Sequence, residues 1–96
     1  MTIQFHSEAR KEFFNAAEYY EDQVVGLGEH FIDEVEKVLA VIAEQSTSGT
    51  KITHAERRFL VSRFPYGIIY SANKDQMTIF AVMNLKRKPG YWKSRI

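Results

Sequence analysis

The residues that could do chemistry crowd into the last third of the chain. Arg57, Arg58, Arg63, Lys86, Arg87, Lys88, Lys93 and Arg95 are basic, and Tyr66, Tyr70, Tyr91 and Trp92 stand among them. Guanidinium and ammonium groups at this density can hold a polyanion or an acidic protein segment. The aromatic rings could stack bases, although the commoner use of Tyr and Trp is to pack in a half-buried core with the polar tip outward. Other chemistry is poorly served. With no cysteine there is no disulfide, no thiolate ligand and no thiol nucleophile. His6, His30 and His54 lack the spacing of metal ligands. Ser62 and Ser71 have no nucleophile-elbow context, and no glycine-rich loop is placed to cradle a phosphate. Glu34 and Glu36 read as surface charges. No metal and no cofactor are expected.

The net charge of +1 conceals an asymmetry. Residues 1–50 hold three bases against ten acids, while residues 51–96 hold ten bases against Glu56 and Asp75. An acidic half followed by a basic half points to a polyanionic or strongly acidic partner. A length of 96 residues suits one domain, taken here as 1–96. The mix of 45% hydrophobic and 26% charged residues is that of a folded chain, not a disordered one. Apolar runs fall far short of the ~18 residues of a membrane span. Met1-Thr2-Ile3-Gln4-Phe5 has neither the basic start nor the apolar core of a signal peptide. A cytoplasmic protein with no membrane partner is expected.

The elements that must position the basic residues follow from periodicity. Thr2 to His6 alternates polar and apolar, as a half-buried strand does. Ser7 is the expected N-cap of a helix whose face is Ala9, Phe13, Ala16, Ala17, Tyr20 and Val24. Gly26-Leu27-Gly28 is expected to end it. A second helix presents Phe31, Val35, Val38, Leu39 and Ile42, and stops at Ser46 to Thr50. Two helices of roughly 17 residues with so short a joint form an antiparallel hairpin ~25 Å long. Lys51 to Glu56 reads as a polar connection. Strands are expected over Arg57–Arg63, ended by Pro65, then Tyr66–Ala72 and Met77–Asn84, joined as an antiparallel meander. The last of these is apolar on nearly every residue, which suits cover on both faces. Pro89-Gly90 breaks the basic tail, and Tyr91-Trp92 is expected to fold back on the sheet. The fold class is α+β in the order β-α-α-β-β-β: a two-helix antiparallel hairpin on one face of a small, mostly antiparallel sheet.

Several short segments, in this order and spacing, carry a resemblance that covers nearly the whole chain. They are Ala9-Arg10, Tyr19-Tyr20-Glu21 before Gly26-Leu27-Gly28, Phe31 with Glu34-Val35-Glu36, Arg63-Phe64-Pro65-Tyr66 with Ile69-Tyr70, Ala81-Val82, and Arg87-Lys88-Pro89-Gly90-Tyr91-Trp92 with Arg95. The chain resembles the RelE/ParE superfamily of bacterial toxins from type II toxin–antitoxin systems, and within it the ParE-like branch. The resemblance implies a helical hairpin on an antiparallel sheet and one of two activities. RelE-like members cut mRNA in the ribosomal A site; ParE-like members poison DNA gyrase.

The residues help to choose between the two. RNA cleavage by 2′-OH attack needs charge stabilisation at the phosphate and a proton donor for the leaving group. Arg87 matches a basic catalytic position of the RelE-like enzymes. Gly67 stands where they place an arginine, and Lys93 stands where they place a tyrosine, with Tyr91 two residues away. Asn84 stands where ParE-like sequences often have histidine. The reading is therefore a plasmid-stabilising toxin that inhibits gyrase by binding, has no catalytic residue, and is neutralised by a cognate antitoxin. Arg63, Arg87, Tyr91, Trp92 and Arg95 are the expected partner contacts, and DNA is met only through the antitoxin or gyrase. The first alternative is a ribosome-dependent mRNA endonuclease using Arg87, Arg58 and Lys86. The second is a non-toxic relic that only binds antitoxin.

Overall fold

The strand β5, Gln76–Asn84, is apolar from Met77 to Met83 except at Thr78, and both of its faces are covered. In the computed structural model, which describes residues 1–96, it lies next to the central strand of a five-stranded sheet ordered β1-β5-β4-β3-β2. The other strands are β1 (Thr2–Phe5), β2 (Thr50–Lys51), β3 (Arg57–Leu60) and β4 (Tyr66–Ala72). The helices α1 (Ser7–Gln23) and α2 (Leu27–Glu44) lie between β1 and β2 in sequence, and a short 3₁₀ turn, Lys93–Arg95, closes the tail. β1 pairs parallel with β5, from Thr2 opposite Gln76 to Phe5 opposite Ile79; every other pairing is antiparallel.

Alternation along the strands sends side chains to two cores. On one face Ile68, Tyr70, Met77, Ile79 and Val82 meet Ala9, Ala16 and Ala17 of α1 and Phe31, Val35, Val38 and Ile42 of α2. On the other, Ile69, Ala81 and Met83 are covered by Trp92 of the tail. The tail thus folds back on the sheet as the sequence implies. A bulge shifts the register between Ile69 and Tyr70, so Ile69 faces Ala81 but Tyr70 faces Ile79. The buried Tyr70 hydroxyl donates to the Ser46 carbonyl at 2.8 Å and accepts from Gly49 N–H at 2.9 Å, tying down the loop after α2.

Five local expectations are corrected. The N-cap of α1 is His6, not Ser7: His6 is extended, and its Nδ1 accepts from Glu8 N–H at 3.1 Å. Val24 is off the buried face; it turns extended as the C-cap and is 59% exposed. Gly26-Leu27-Gly28 opens α2 and does not close α1. Gly26, at φ 90°, is the N-cap, and the Glu21 carboxylate reaches across from α1 to accept from Gly26 N–H and Gly28 N–H at 2.9 and 3.0 Å. β3 ends at Leu60, short of Arg63, because the chain turns over residues 61–65 with Arg63 at φ 70°. The stretch expected to be a plain connection also contributes the two-residue β2, with Thr50 opposite Arg58 and Lys51 opposite Arg57. No helix is long and apolar enough to cross a membrane.

The helices approach so closely at Gly28 that a Cβ there would sit 2.4 Å from the Ala17 carbonyl oxygen. Backbone cannot give way as a side-chain tip can, so Gly28→Ala is expected to destabilise the protein by about 1–3 kcal/mol in urea unfolding. Gly26→Ala meets no clash and tests the positive φ alone, at a cost of about 1 kcal/mol.

Candidate partner-binding surface

β1 covers only the first half of the β5 edge. After His6 N–H donates to the Ile79 carbonyl at 2.9 Å, no strand follows. Side chains take over the exposed backbone groups. Arg95 Nη1 donates to the Phe80 carbonyl at 2.9 Å, and Glu12 Oε1 accepts from Val82 N–H at 3.0 Å. Glu12 and Arg95 are joined to each other by two parallel bonds, 2.9 Å from Nη1 to Oε1 and 3.0 Å from Nη2 to Oε2. The Tyr91 hydroxyl completes the set by donating to Glu12 Oε2 at 2.6 Å. The Glu12 and Arg95 side chains are only 16% and 12% exposed. At that burial the charge-assisted fork is screened far less than a surface ion pair, and removing one partner leaves the other uncompensated. The bond from Arg95 to Glu12 raises the guanidinium's already high pKa despite the opposing effect of burial. Burial, then the bond to the Glu12 carboxylate, pushes the Tyr91 phenol well above its ordinary 10.0.

This clamp fixes the tail over the sheet face that the helices leave bare. Beside it runs an open groove of about 420 Å³, with Ile69, Met83 and Trp92 at its base, and Leu60, Leu85, Ile52, Arg58, Arg87 and Lys93 around them. Leu60 and Leu85 are 53% and 42% exposed, so apolar surface is open to solvent there. The charges bordering it are all positive, and no carboxylate, imidazole or phenol lines it. Gly67 helps to shape it: a Cβ there would lie 3.2 Å from Arg58 Cγ and 3.3 Å from Cδ, so the Arg58 stem occupies that space. Arg87 stands at the rim with its guanidinium 4.0 Å from the centre of the Tyr91 ring.

A family model described as the ParE toxin of type II toxin–antitoxin systems, parDE, matches residues 3–89. The chain belongs to the ParE toxin family. A solved structure described as a chromosomal ParDE TA system from P. aeruginosa shares the fold, with a TM-score of 0.60 at 13% identity over 88% of this chain and 95% of that one. A search of curated protein sequences finds no match.

In this ParE-family toxin the five expected contact residues do not form one patch. Arg87 is exposed beside the groove. Tyr91 and Arg95 are engaged with Glu12, and Trp92, 3% exposed, is a core residue. These three build the surface from below and do not lie open on it. Arg63 is elsewhere, in a separate concavity beside His30, Asp33, Glu34 and Glu36 of α2. Of the positions considered for RNA cleavage, Arg58 and Arg87 share the groove, whereas Lys86 is outside its lining. The Asn84 side-chain oxygen accepts from Lys86 N–H at 2.9 Å. Arg57, one of the basic cluster, donates to the Gly49 carbonyl at 2.9 Å and braces a loop.

Glu12 is the residue the sequence reading passes over. Its signal is positional: it falls three residues after Ala9 and four before Ala16, both buried, so an acid stands within the inward stripe of α1. An acid in such a place needs a cationic partner, but which arginine supplies it depends on the tertiary fold.

Two outcomes follow for the clamp. Glu12→Ala strands a mostly buried guanidinium and the Val82 N–H, and is expected to cost about 2–3 kcal/mol, the remaining solvent contact reducing the full penalty. Alkali tests Tyr91. A folded-state pKa above the unfolded one means that stability from this group is complete below pH 10.0 and drains away as pH rises through the folded value. Denaturation midpoints should begin to fall above about pH 10, and Tyr91→Phe should remove that component.

Proposed function

We propose that this ParE-family protein acts as a toxin by binding and not by turnover, that residues 1–96 work as one domain, and that the target is DNA gyrase. The observation carrying the binding mode is the groove on the helix-free sheet face, with its apolar floor and wholly cationic border. Such a surface suits an amphipathic acidic segment, which can bury apolar side chains on Leu60 and Leu85 and meet Arg58, Arg87 and Lys93 with carboxylates. A cognate antitoxin with a segment of this kind would hold the toxin off by occupying the groove or by adding a strand beside β3, which β2 covers only at Arg57 and Arg58. The choice of gyrase rests on the ParE branch. Gyrase is a cytoplasmic enzyme, which puts the toxin in that compartment, and DNA is met only through gyrase or the antitoxin.

A second reading has one observation in its favour: Arg58 and Arg87 converge on one groove, where they could stabilise a phosphate during ribosome-dependent mRNA cleavage. Against it, no side chain that titrates near neutrality lines the groove to protonate the leaving group.

Two assays on the purified protein separate these readings. With gyrase, ATP and plasmid, trapped gyrase–DNA cleavage complexes are expected; with translating ribosomes, intact message is expected. Codon-linked cuts in the message would overturn the proposal, and unchanged growth of cells expressing the toxin alone would favour the inert relic. Arg58→Ala and Arg87→Ala should each weaken antitoxin binding by roughly tenfold, with most of the loss vanishing at high salt.

A further inference from the structure

Arg87 is an exposed cation with no carboxylate within ion-pair distance, yet it is held in place. Its guanidinium lies 4.0 Å from the Tyr91 ring centre, at the border between the groove and a smaller cleft of about 230 Å³ lined by Glu12, Asn15, Tyr19, Tyr66 and Asn84. A guanidinium resting on a ring keeps its in-plane N–H donors free, and these match both oxygens of a carboxylate. The ring is itself fixed. The Tyr91 hydroxyl is bound to Glu12 Oε2 at 2.6 Å, and Glu12 is locked by Arg95 and by Val82 N–H. The chain of contacts therefore runs from α1, through a phenol, to an arginine at the groove.

We propose that Glu12 is a positioning residue: by anchoring the Tyr91 hydroxyl it sets the plane of the Arg87 guanidinium, and so the strength with which Arg87 takes a carboxylate from an acidic segment docked in the groove. Glu12 itself never touches that segment. The carboxylate is favoured over a nucleic-acid phosphate because Leu60 and Leu85 offer apolar contact, while Trp92, the one aromatic ring in the groove lining, is too buried to stack a base. The inference rests on the reading of the groove as a docking surface, and its two readouts can fail separately.

Tyr91→Phe is the sharpest variant. It keeps the ring and the Glu12–Arg95 fork and deletes only the anchor; Glu12→Gln is the second variant should the first perturb the fold. The first readout is the Arg87 Nε–Hε signal in the labelled full chain. It is expected to be shifted by the ring current of Tyr91 away from the arginines that face no ring, Arg95 being the other guanidinium over that ring at 5.0 Å, and to move toward those arginines in both variants. An unmoved signal would sink the positioning role. The second readout is affinity for a short synthetic peptide of repeating Glu-Leu-Glu. Tyr91→Phe is expected to weaken binding roughly three- to tenfold in the parent and not at all beside Arg87→Ala. Equal weakening in both backgrounds would make Tyr91 merely structural and overturn the coupling. If Arg87→Ala alone leaves the peptide's affinity intact, the docking reading falls, while the arginine signal still decides the positioning. Tighter binding of a polyphosphate chain than of the peptide would overturn the choice of carboxylate.

Discussion

A carboxylate on the inward stripe of α1 is the joint on which the bare side of the sheet depends. Glu12 binds a backbone N–H of β5, a guanidinium and a phenol of the tail at once. Edge strands carry unpaired N–H and C=O groups that invite other chains, and proteins cover them by various means. Here β1 stops early, and an ion pair continues its work, Arg95 taking the Phe80 carbonyl and Glu12 the Val82 N–H. The same pair holds Trp92 over Ile69, Ala81 and Met83. Without it the end of the tail would be held by the packing of Trp92 and Tyr91 alone.

The two faces of the sheet carry different burdens as a result. The helix side is a continuous core in which Phe31 meets Tyr20, Phe64 and Tyr66 with ring centres 5.4, 5.2 and 5.0 Å apart. The tail side has a small second core and leaves apolar residues open beside it. Most acids lie on the helices, and Arg58, Arg87 and Lys93 border the open face, while Arg63 sits beside the acids of α2. The basic residues are not equivalent within that field. Arg57 and Arg95 brace backbone, while Arg58 and Arg87 border the groove.

Much of this was legible in the sequence, and the gaps have physical causes. The β-α-α-β-β-β order, the apolar face of α2 and the return of Trp92 follow from periodicity and hydrophobicity, which are local signals. The helix joint is ambiguous in the sequence because two glycines close together fit a helix end as well as a helix start; what decides is Glu21 of α1 reaching forward to cap α2, and its close approach to Gly28. Periodicity carries β3 on to Arg63 because Val61, Ser62 and Arg63 look strand-like, while the strand ends at Leu60 and Arg63 takes a positive φ in the turn. At the surface, counting bases identified the neighbourhood but could not separate free cations from engaged ones. That distinction lies in pairings such as Glu12 with Arg95, 83 positions apart.

The parallel pairing of β1 with β5 bears on how the molecule comes into being. β1 has its only neighbour in β5, and the Gln4 side chain meets Gln76, 72 positions on. Bringing such distant segments together carries a loop-closure cost before any contact repays it, so this part of the sheet forms late. Until β5 is in place beside β4, β1 has no strand to join. A chain still lacking that contact is an unfinished sheet, with the β5 edge left open from Gln76 to Ile79.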